Sequence, residues 1–366
     1  MAGSTFGNIF KITTWGESHG KGIGVVVDGC PAGIPLCEED IQKFLDRRKP
    51  GQSQYTTQRK EDDMVEILSG VFEGKTTGTP ISMVVFNKTQ RSGDYSEIAS
   101  YYRPGHADYT FDMKYGFRDY RGGGRSSGRE TIGRVAAGAI AIKMLSMMGI
   151  CVNAYSKAIG GIEANMSIAD MDECKNNPFY MPDKVAAEKV AEYAKEKMAQ
   201  MDSMGGIIEC VVKGMPAGAG DPCFEKLDAN LAKAVMSIGA VKGFEIGLGF
   251  AAANATGLTN NDPFRMEDGK VVKESNNAGG ILGGISDGSD IVLRAAIKPT
   301  PSIAANQHTV NKSDEEIDIS IKGRHDPMIV PRAVVVVEAM TALVLVDALM
   351  TNMTARVDAI VDFYKK

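Results

Sequence analysis

The stretch that decides the fold is RETIGRVAAGAIAIKMLSMMG, which runs from Arg129 to Gly149. Its apolar side chains recur with the spacing of one helical face, and Gly149 supplies a C-terminal stop, so the stretch predicts a helix. A second apolar stretch, Ala333 to Met350, contains Glu338 and Asp347. These charges interrupt the run of about 18 apolar residues that a membrane helix needs, so this stretch predicts a buried core helix.

Both predicted helices follow a polar loop that contains arginine. Gly124 to Gly128 reads GRSSG before the first helix, and Gly323 to Pro327 reads GRHDP before the second, with Arg134 and Arg332 at nearly matching offsets. This correspondence indicates an internal duplication with two related halves, and the lack of a convincing linker favours a single domain, residues 1–366. Because the free N–H groups at a helix start attract anions, both loops are candidate phosphate sites.

The remaining chain mixes helices and strands, which predicts an α+β protein. Two further helices are indicated by periodicity, and Asp183 is the expected N-cap of another. The segment from Lys88 to Gly128 shows no sustained period and is expected to be an ordered, functional loop. The predicted strands are Val25–Val27, Val65–Phe72, Ile81–Phe86, 207–213 and 291–297, and the further helices are Glu38–Arg48, Asp183–Met201 and Leu227–Ile238.

Composition indicates a cytoplasmic protein. The chain has 366 residues and a net charge of −5, and Met1 to Ser4 shows no feature of a signal peptide. The six cysteines form no C-x-x-C pair and no Cys/His group with metal-like spacing. We therefore expect reduced cysteines that mostly act as small buried apolar residues, with no metal site.

Histidine is rare, and its placement predicts site loops. Of the four histidines, three lie in short polar clusters bounded by glycine or proline. Imidazole moves protons near neutral pH, and glycine lets the backbone approach a ligand closely. The clusters are GESHG around His19, RPGHAD around His106, and GRHDP around His325.

Arginine indicates the charge of the ligand. Ten of the fifteen arginines lie between Arg47 and Arg134, a segment with 15 Lys and Arg against 11 Asp and Glu. Guanidinium groups bind carboxylates and phosphates bidentately, so this concentration favours a small polyanion. An acidic chain without a basic stripe is not typical of a nucleic-acid-binding protein.

Seven motifs, taken together and in order, resemble chorismate synthases over essentially the whole chain. The resemblance implies a β-α-β sandwich with internal pseudo-duplication that assembles as a homotetramer. It also implies a lyase that converts 5-enolpyruvylshikimate 3-phosphate to chorismate and phosphate by a 1,4-anti elimination, using reduced FMN, at the last step of the shikimate pathway. The motifs are GESHG with Asp28-Gly29, Arg47 to Gly51, Arg103 to Asp108, Tyr120 to Ser127, Asp202 to Gly206, Gly279 to Ser286 and Gly323 to Pro327.

The resemblance also assigns roles to residues. His19 is the implied general acid at the leaving phosphate, His106 the implied group that maintains the protonation state of the flavin, and Asp326 an aid to proton transfer at its N5. Ser18 and Ser127 are implied members of the same proton relay. The implied flavin residues are Arg125, Ser126, Ser127, Gly239, Ala240, Gly283, Lys298, Pro299, Thr300, Pro301, Ser302 and Arg324, and the implied substrate residues are Arg48, Arg103 and Arg134.

Three positions depart from the family pattern. Gly239 replaces a frequent Asn or Gln, which removes an amide contact to the flavin. Gln54 replaces a frequent Arg, which weakens the binding of a nicotinamide nucleotide that the resemblance implies for Arg48. Met328 replaces a small residue and affects local packing. An external reductant for the flavin is expected, since the length leaves no room for a reductase domain beyond the family core.

Two other function classes stay open on the residues alone. A phosphohydrolase that uses His19 and the arginines would release phosphate without flavin. A non-catalytic nucleotide or RNA binder would lose affinity steeply with salt.

Overall fold

The computed structural model describes residues 3–56, 61–88, 97–121, 123–321 and 326–365. The helices of these residues are α1 Glu38–Arg48, α2 Asp108–Tyr115, α3 Thr131–Met147, α4 Glu173–Asn176, α5 Lys184–Ala199, α6 Leu227–Met236, α7 Gly257–Asn260, α8 Val330–Asn352 and α9 Val357–Tyr364. The strands are β1 Thr5–Phe6, β2 Lys11–Gly16, β3 Gly22–Asp28, β4 Val65–Ile67, β5 Val71–Phe72, β6 Lys75–Thr76, β7 Ile81–Phe86, β8 Cys151–Ile159, β9 Ile162–Glu163, β10 Gly206–Lys213, β11 Val241–Ile246, β12 Phe264–Glu267, β13 Lys270–Lys273, β14 Ile281–Leu282, β15 Ile285–Ser286, β16 Ile291–Ile297, β17 Gln307–Val310 and β18 Glu316–Ile319.

Two antiparallel five-stranded sheets dominate the described residues. The first has the strand order β1-β2-β3-β7-β4, and the second has the order β11-β16-β10-β8-β9. Buried and exposed residues alternate along β2, as expected where one face of a sheet covers a core and the other meets solvent. Both sheets therefore have an inner face that must be covered.

The inner faces of both sheets are covered by helices that lie between the two sheets. The helix α3 packs on β2, β3 and β7 of the first sheet, and α8 packs on β8 and β10 of the second. The two helices also pack against each other, with α1 beside α3 and α6 beside α8. The result is a β-α-β sandwich of the α+β class, as predicted. The evolutionary duplication of its halves stays a prediction.

The two central helices approach closely at one glycine. A Cβ atom on Gly138 of α3 would lie 2.3 Å from Cβ and 2.6 Å from Cα of Ala339 on α8. Real Cβ atoms do not tolerate such distances, so this contact requires glycine. The spacing of the middle layer thus depends on the absence of a side chain at Gly138.

A buried carboxylate connects the layers. Glu338 of α8 is 4% exposed and accepts hydrogen bonds from Arg47 at 2.6 and 3.0 Å. It also accepts a bond of 2.9 Å from the backbone N–H of Ala154 in β8. Since Arg47 belongs to α1, the side chain of Glu338 joins the helices α1 and α8 to strand β8 of the second sheet.

Most of the predicted elements are confirmed within one to three residues. Helix α1 has the predicted bounds, and α3, α6 and α8 cover the predicted apolar stretches. Asp183 caps α5, because its side chain accepts bonds from the N–H groups of Val185 at 2.9 Å and Ala186 at 3.2 Å. Helix α8 is long and apolar enough to cross a membrane, and 78% of its most apolar window is buried inside the protein.

Three sequence predictions are wrong. The irregular segment 88–128 contains helix α2, which the sequence hides because Tyr109, Met113 and Tyr115 are exposed and no apolar face recurs. The predicted strand 65–72 is two short strands, β4 and β5, that pair with different partners. Among the cysteines, only half are buried; Cys30, Cys174 and Cys210 are buried, whereas Cys37, Cys151 and Cys223 are exposed.

Candidate active site

The loop before α2 builds an ion pair around His106. Asp108 is buried and accepts hydrogen bonds from Nε and Nη2 of Arg103 at 2.7 and 2.8 Å. The Nδ1 atom of His106 lies 3.0 Å from both Arg103 Nη2 and Asp108 Oδ1. Since guanidinium only donates and carboxylate only accepts, the tautomer of His106 decides which neighbour it bonds.

The ion pair keeps Asp108 ionised. Burial alone would raise the pKa of this carboxyl, but hydrogen bonds from Arg103 and His106 outweigh burial and hold it far below its usual range. The carboxylate thus stays charged at every physiological pH. It fixes the imidazole of His106 and occupies much of the hydrogen-bonding capacity of Arg103.

Two other loops meet this one. Lys298 Nζ donates a hydrogen bond of 2.5 Å to the carbonyl oxygen of Gly105. A Cβ atom on Gly105 would lie 3.2 Å from Cβ of Pro301, and one on Gly123 would lie 3.2 Å from Cε1 of His106. The three predicted site segments are therefore in contact around His106, although they are separated by up to about 200 residues in sequence.

The segment from Lys298 to Ser302 leaves one polar group unsatisfied. Its backbone is held by the bond from Lys298 N–H to the carbonyl of Ala240 at 2.9 Å, and by the bond from Ser203 Oγ to the carbonyl of Thr300 at 2.7 Å. Thr300 Oγ1 is buried and has no hydrogen-bond partner among the described residues. Burial, with a smaller contribution from Lys242, lowers the pKa of Lys298. A buried hydroxyl and a desolvated ammonium together suit a bound anion.

A cavity of about 1150 Å³ opens beside these loops. Its lining includes the predicted residues Arg125, Ser126 and Arg134, together with Gly123 of the His106 contact. Arg134 Nε donates to Glu130 Oε2 at 2.8 Å, which holds its guanidinium at the wall. The volume is large enough for a small-molecule ligand of several rings.

Arg125 connects this cavity to the first histidine loop. Its Nη2 donates to Thr14 Oγ1 at 2.6 Å, and its Nη1 donates to the carbonyl of Gly16 at 3.3 Å. Gly16 ends β2 and begins the turn that contains Ser18 and His19. In that turn, Ser18 Oγ and His19 Nδ1 lie 3.2 Å apart, and both side chains are buried.

Asn87 at the end of β7 supports the same turn from the other side. Its Nδ2 donates to the carbonyl oxygens of Glu17 at 3.0 Å and Gly20 at 2.9 Å. Its Oδ1 accepts a bond of 2.8 Å from Nη2 of Arg129. The residues that flank Ser18 and His19 are thus fixed by a side chain from a neighbouring strand.

Arg48 is buried in an ion pair, unlike an arginine that is exposed to bind an anion. Its side chain is 1% exposed and Nη2 contacts Asp63 Oδ2 at 2.7 Å, while Arg129 Nη1 lies 2.9 Å from the other oxygen of Asp63. Burial lowers the pKa of Arg48 to about 10. Arg48 Nε, although buried, has no hydrogen-bond partner among the described residues. The guanidinium is charged, yet it reaches a ligand only if it leaves this pair.

Asp326 lies at the other end of the same network. It is ion-paired with Arg332 of α8, whose Nε donates to the carbonyl of Arg48 at 3.0 Å. Asp326 is therefore held near the buried Arg48, and its catalytic role stays a prediction. The predicted flavin residue Arg324 lies outside the described residues, as does His325.

Two other predicted site residues, Gly283 and Ser127, are placed differently relative to these loops. Gly283 lies in the turn between β14 and β15, where the next residue accepts a bond from Leu227 N–H at the start of α6. The cavity is lined by Ser237 just after the end of α6, about one helix length, or roughly 15 Å, from Leu227. Ser127 Oγ accepts a bond of 3.3 Å from Arg129 N–H and so caps a short 3₁₀ turn.

The three departures from the family pattern cause no clash. A side chain on Gly239 would meet no atom within 4 Å, so the smaller residue leaves open space. Gln54 is exposed in a turn. Met328 is fully buried in the main core, so the larger side chain is accommodated there.

Several site residues were missed by sequence reasoning. Asp63, Asn87 and Thr14 each bind a predicted arginine or a predicted loop from a distant part of the chain. Asp108 lies within a quoted motif, and its position two residues after His106 was a signal that could have identified it. Within the described residues, no group of three or more His, Cys, Asp or Glu side chains could hold a metal ion.

The chain is similar over its length to proteins of known family. The profile of the family described as chorismate synthase matches residues 10–350. The chorismate synthases of Agathobacter rectalis and Lachnospira eligens are each 72% identical to it over 366 residues, which covers all of both chains. A crystal structure of chorismate synthase matches with a TM-score of 0.76 at 32% identity, covering 98% of this chain and 97% of that one.

Proposed function

The chain belongs to the chorismate synthase family and is an enzyme of the last step of the shikimate pathway, and we propose that it performs this step as a reduced-FMN-dependent 1,4-anti elimination. The substrate is 5-enolpyruvylshikimate 3-phosphate, and the products are chorismate and phosphate. The observation that carries the proposal is the contact of the Gly105–His106 loop with both Lys298 and Gly123. This contact brings the imidazole of His106 next to two segments, around Lys298 and Gly123, that suit an anionic cofactor.

The residues around His106 fit a flavin phosphate and ring. Thr300 Oγ1 is buried without a partner among the described atoms, and Lys298 offers a partly desolvated cation beside it in the chain. Arg125 and Ser126 line the adjacent cavity. These side chains would hold FMN. When bound, reduced FMN supplies an electron-rich ring that assists loss of phosphate and takes up the substrate's ring hydrogen.

The arginines bind the substrate's anionic groups. The substrate carries two carboxylates and a phosphate, and Arg134 lines the cavity with its guanidinium fixed by Glu130. Arg103 lies at the His106 loop, where Asp108 orients it. Arg48 contributes positive charge from a buried position, and a nicotinamide nucleotide at this residue stays a prediction.

Three groups handle protons in this proposal. His19 donates a proton to the leaving phosphate, and its imidazole is supported by Ser18. His106, oriented by Asp108, maintains the protonation state of the flavin. Asp326 assists proton transfer at the flavin N5 and is itself oriented by Arg332.

The remaining features of the proposal follow from the family. We expect a homotetramer in the cytoplasm whose FMN is reduced by an external reductant. We expect no association with nucleic acid or membranes, since the chain is acidic and its most apolar helix is a core helix.

The proposal is tested by anaerobic turnover with reduced or oxidised FMN, monitoring chorismate and phosphate separately. His19→Ala and His106→Ala should each lower turnover by roughly 10²–10⁴-fold, which is typical for one acid-base group. The matched control is His308→Ala, since this imidazole lies on an exposed hairpin and is 64% exposed. Phosphate release without reduced FMN would instead identify a phosphohydrolase, and salt-sensitive RNA affinity without turnover would identify a binding protein.

A further inference from the structure

Asn87 makes an unusual set of contacts with the turn that contains His19. Its side-chain Nδ2 bridges the carbonyl oxygens of Glu17 and Gly20, and its backbone N–H donates to the carbonyl of Lys21 at 3.0 Å. The turn is closed by a bond of 3.2 Å from Gly20 N–H to the carbonyl of Glu17. The two side-chain bonds therefore hold both ends of the segment that carries Ser18 and His19.

The orientation of the Asn87 amide is fixed by its other partner. Arg129 is buried and donates to Oδ1, and a guanidinium cannot accept a hydrogen bond. A flipped amide would place NH₂ against the guanidinium and an oxygen against two carbonyls. Only one orientation satisfies all three partners, and in it Nδ2 faces the His19 turn.

This side chain connects the turn to the rest of the site. Arg129 contacts Asp63, Asp63 pairs with Arg48, and the carbonyl of Arg48 accepts from Arg332, the partner of Asp326. A continuous polar network thus runs from the His19 turn to Asp326. Asn87 touches the turn directly, and its carboxamide does not act as an acid or a base near neutral pH.

We propose that Asn87 is a positioning residue that fixes the imidazole of His19 for proton donation to the leaving phosphate. The inference rests on the proposed function of His19. A displacement of about 1 Å at a reacting group can cost about 10²-fold in rate. Loss of the two bonds to the turn is therefore expected to lower kcat, while the arginines that bind substrate stay in place and KM changes little.

The sharpest variant is Asn87→Asp. It keeps the size of the side chain and the acceptor for Arg129, but it replaces the donor with an oxygen that repels the carbonyls of Glu17 and Gly20. Asn87→Ala is the uncharged companion variant. We expect both to lower kcat by about 10–100-fold, with KM within about threefold of the unmodified enzyme.

Asn177 provides a matched control. Like Asn87 it is half-buried, and its Nδ2 bridges two carbonyl oxygens, those of Glu173 and Met181, each at 2.8 Å. It lies in the loop after α4, and none of its bonds involves a site residue. Asn177→Asp should lower stability in the same way as Asn87→Asp and leave kcat within about twofold. An equal loss of kcat in both variants would show a general folding effect and overturn the proposal.

A double-mutant cycle with His19→Ala separates positioning from other effects. If Asn87 acts through His19, Asn87→Asp should cost less than about threefold once the imidazole is absent. The same 10–100-fold loss in both backgrounds would overturn the proposal. Unchanged kcat in Asn87→Asp beside an impaired His19→Ala would also overturn it, while leaving the proposed function intact. Normal turnover by His19→Ala would refute the role of His19 itself, and this inference with it.

Discussion

Replacing Asp108 with asparagine should lower both stability and turnover, because its carboxylate pairs with Arg103 and contacts His106. In Asp108→Asn the side chain keeps its shape, but one carboxylate oxygen becomes an NH₂ group and the charge is lost. The unmodified carboxylate accepts three hydrogen bonds from Arg103, including one of 3.1 Å from its backbone N–H, and lies 3.0 Å from His106 Nδ1. An amide has one acceptor oxygen and cannot satisfy both partners.

Two losses are expected from this substitution. The guanidinium of Arg103 is left buried without a counter-ion, and removing one partner of a buried pair costs about 3–5 kcal/mol of unfolding free energy. If the amide oxygen stays with Arg103, its NH₂ group faces His106 Nδ1, which must then accept rather than donate. The wrong tautomer at His106 should lower turnover by roughly 10²–10⁴-fold.

The assay pairs urea denaturation with anaerobic turnover at saturating reduced FMN. Asp318→Asn is the matched control, because Asp318 lies 3.2 Å from Nδ1 of the exposed His308. This control should change the unfolding free energy by no more than about 0.5 kcal/mol and leave turnover intact. The pKa of Asp108 is lowered on folding, so its stabilisation is present at neutral pH and declines only as pH falls below the unfolded value of about 4. Equal stability of Asp108→Asn and the unmodified enzyme at pH 7 would refute this reasoning.

Three further outcomes are expected. Gly138→Ala should destabilise the protein by at least about 1 kcal/mol in urea denaturation, despite its better helix propensity, because of the contact with Ala339. Ala339→Gly in the same chain should restore only part of the stability, since the added Cβ would still lie 2.6 Å from the Cα of residue 339, and no loss in the single variant would contradict the packing. The pKa of Lys298 is lowered, so its ammonium group loses its proton at a pH below the usual lysine pKa of about 10.4. FMN affinity, measured by fluorescence, should therefore fall as the pH rises through that range. Lys298→Met should abolish this pH dependence, and an unchanged slope would exclude Lys298 as the phosphate partner. Asp326→Asn should lower turnover by about 10²-fold while substrate affinity, measured by calorimetry, stays within about tenfold; the opposite pattern would make Asp326 a residue that only orients Arg332.

The helices of the sandwich could be predicted from sequence because their signals are local. The apolar spacing of 129–149 and the cap at Asp183 operate within a few residues of the element they define. The order of the strands could not be predicted, because it depends on distant pairings. The strand β7 lies between β3 and β4, and β16 lies between β11 and β10.

The same difference between local and distant signals applies to the residues of the site. His19 and His106 could be found because they occur in short polar clusters, and Lys298 because its segment matches the family's flavin residues. Asp63 and Asn87 could not, since neither belongs to a motif identified in the sequence and the partners of each are 15 to 70 residues away. Position in the folded chain, and not local composition, makes such residues part of a site. Helix α2 escaped prediction for a different reason, since its apolar side chains are spread around its surface.

The carboxylate of Glu338 has a consequence for how the chain unfolds. If the second sheet detached from the middle layer, the amide of Ala154 would lose its acceptor, and if α1 detached, Glu338 would keep a buried charge without Arg47. Each partial opening therefore carries a cost of about 1–5 kcal/mol. The amide hydrogen of Ala154 should consequently be protected from exchange with solvent, and its protection factor should report how firmly the middle layer holds the second sheet.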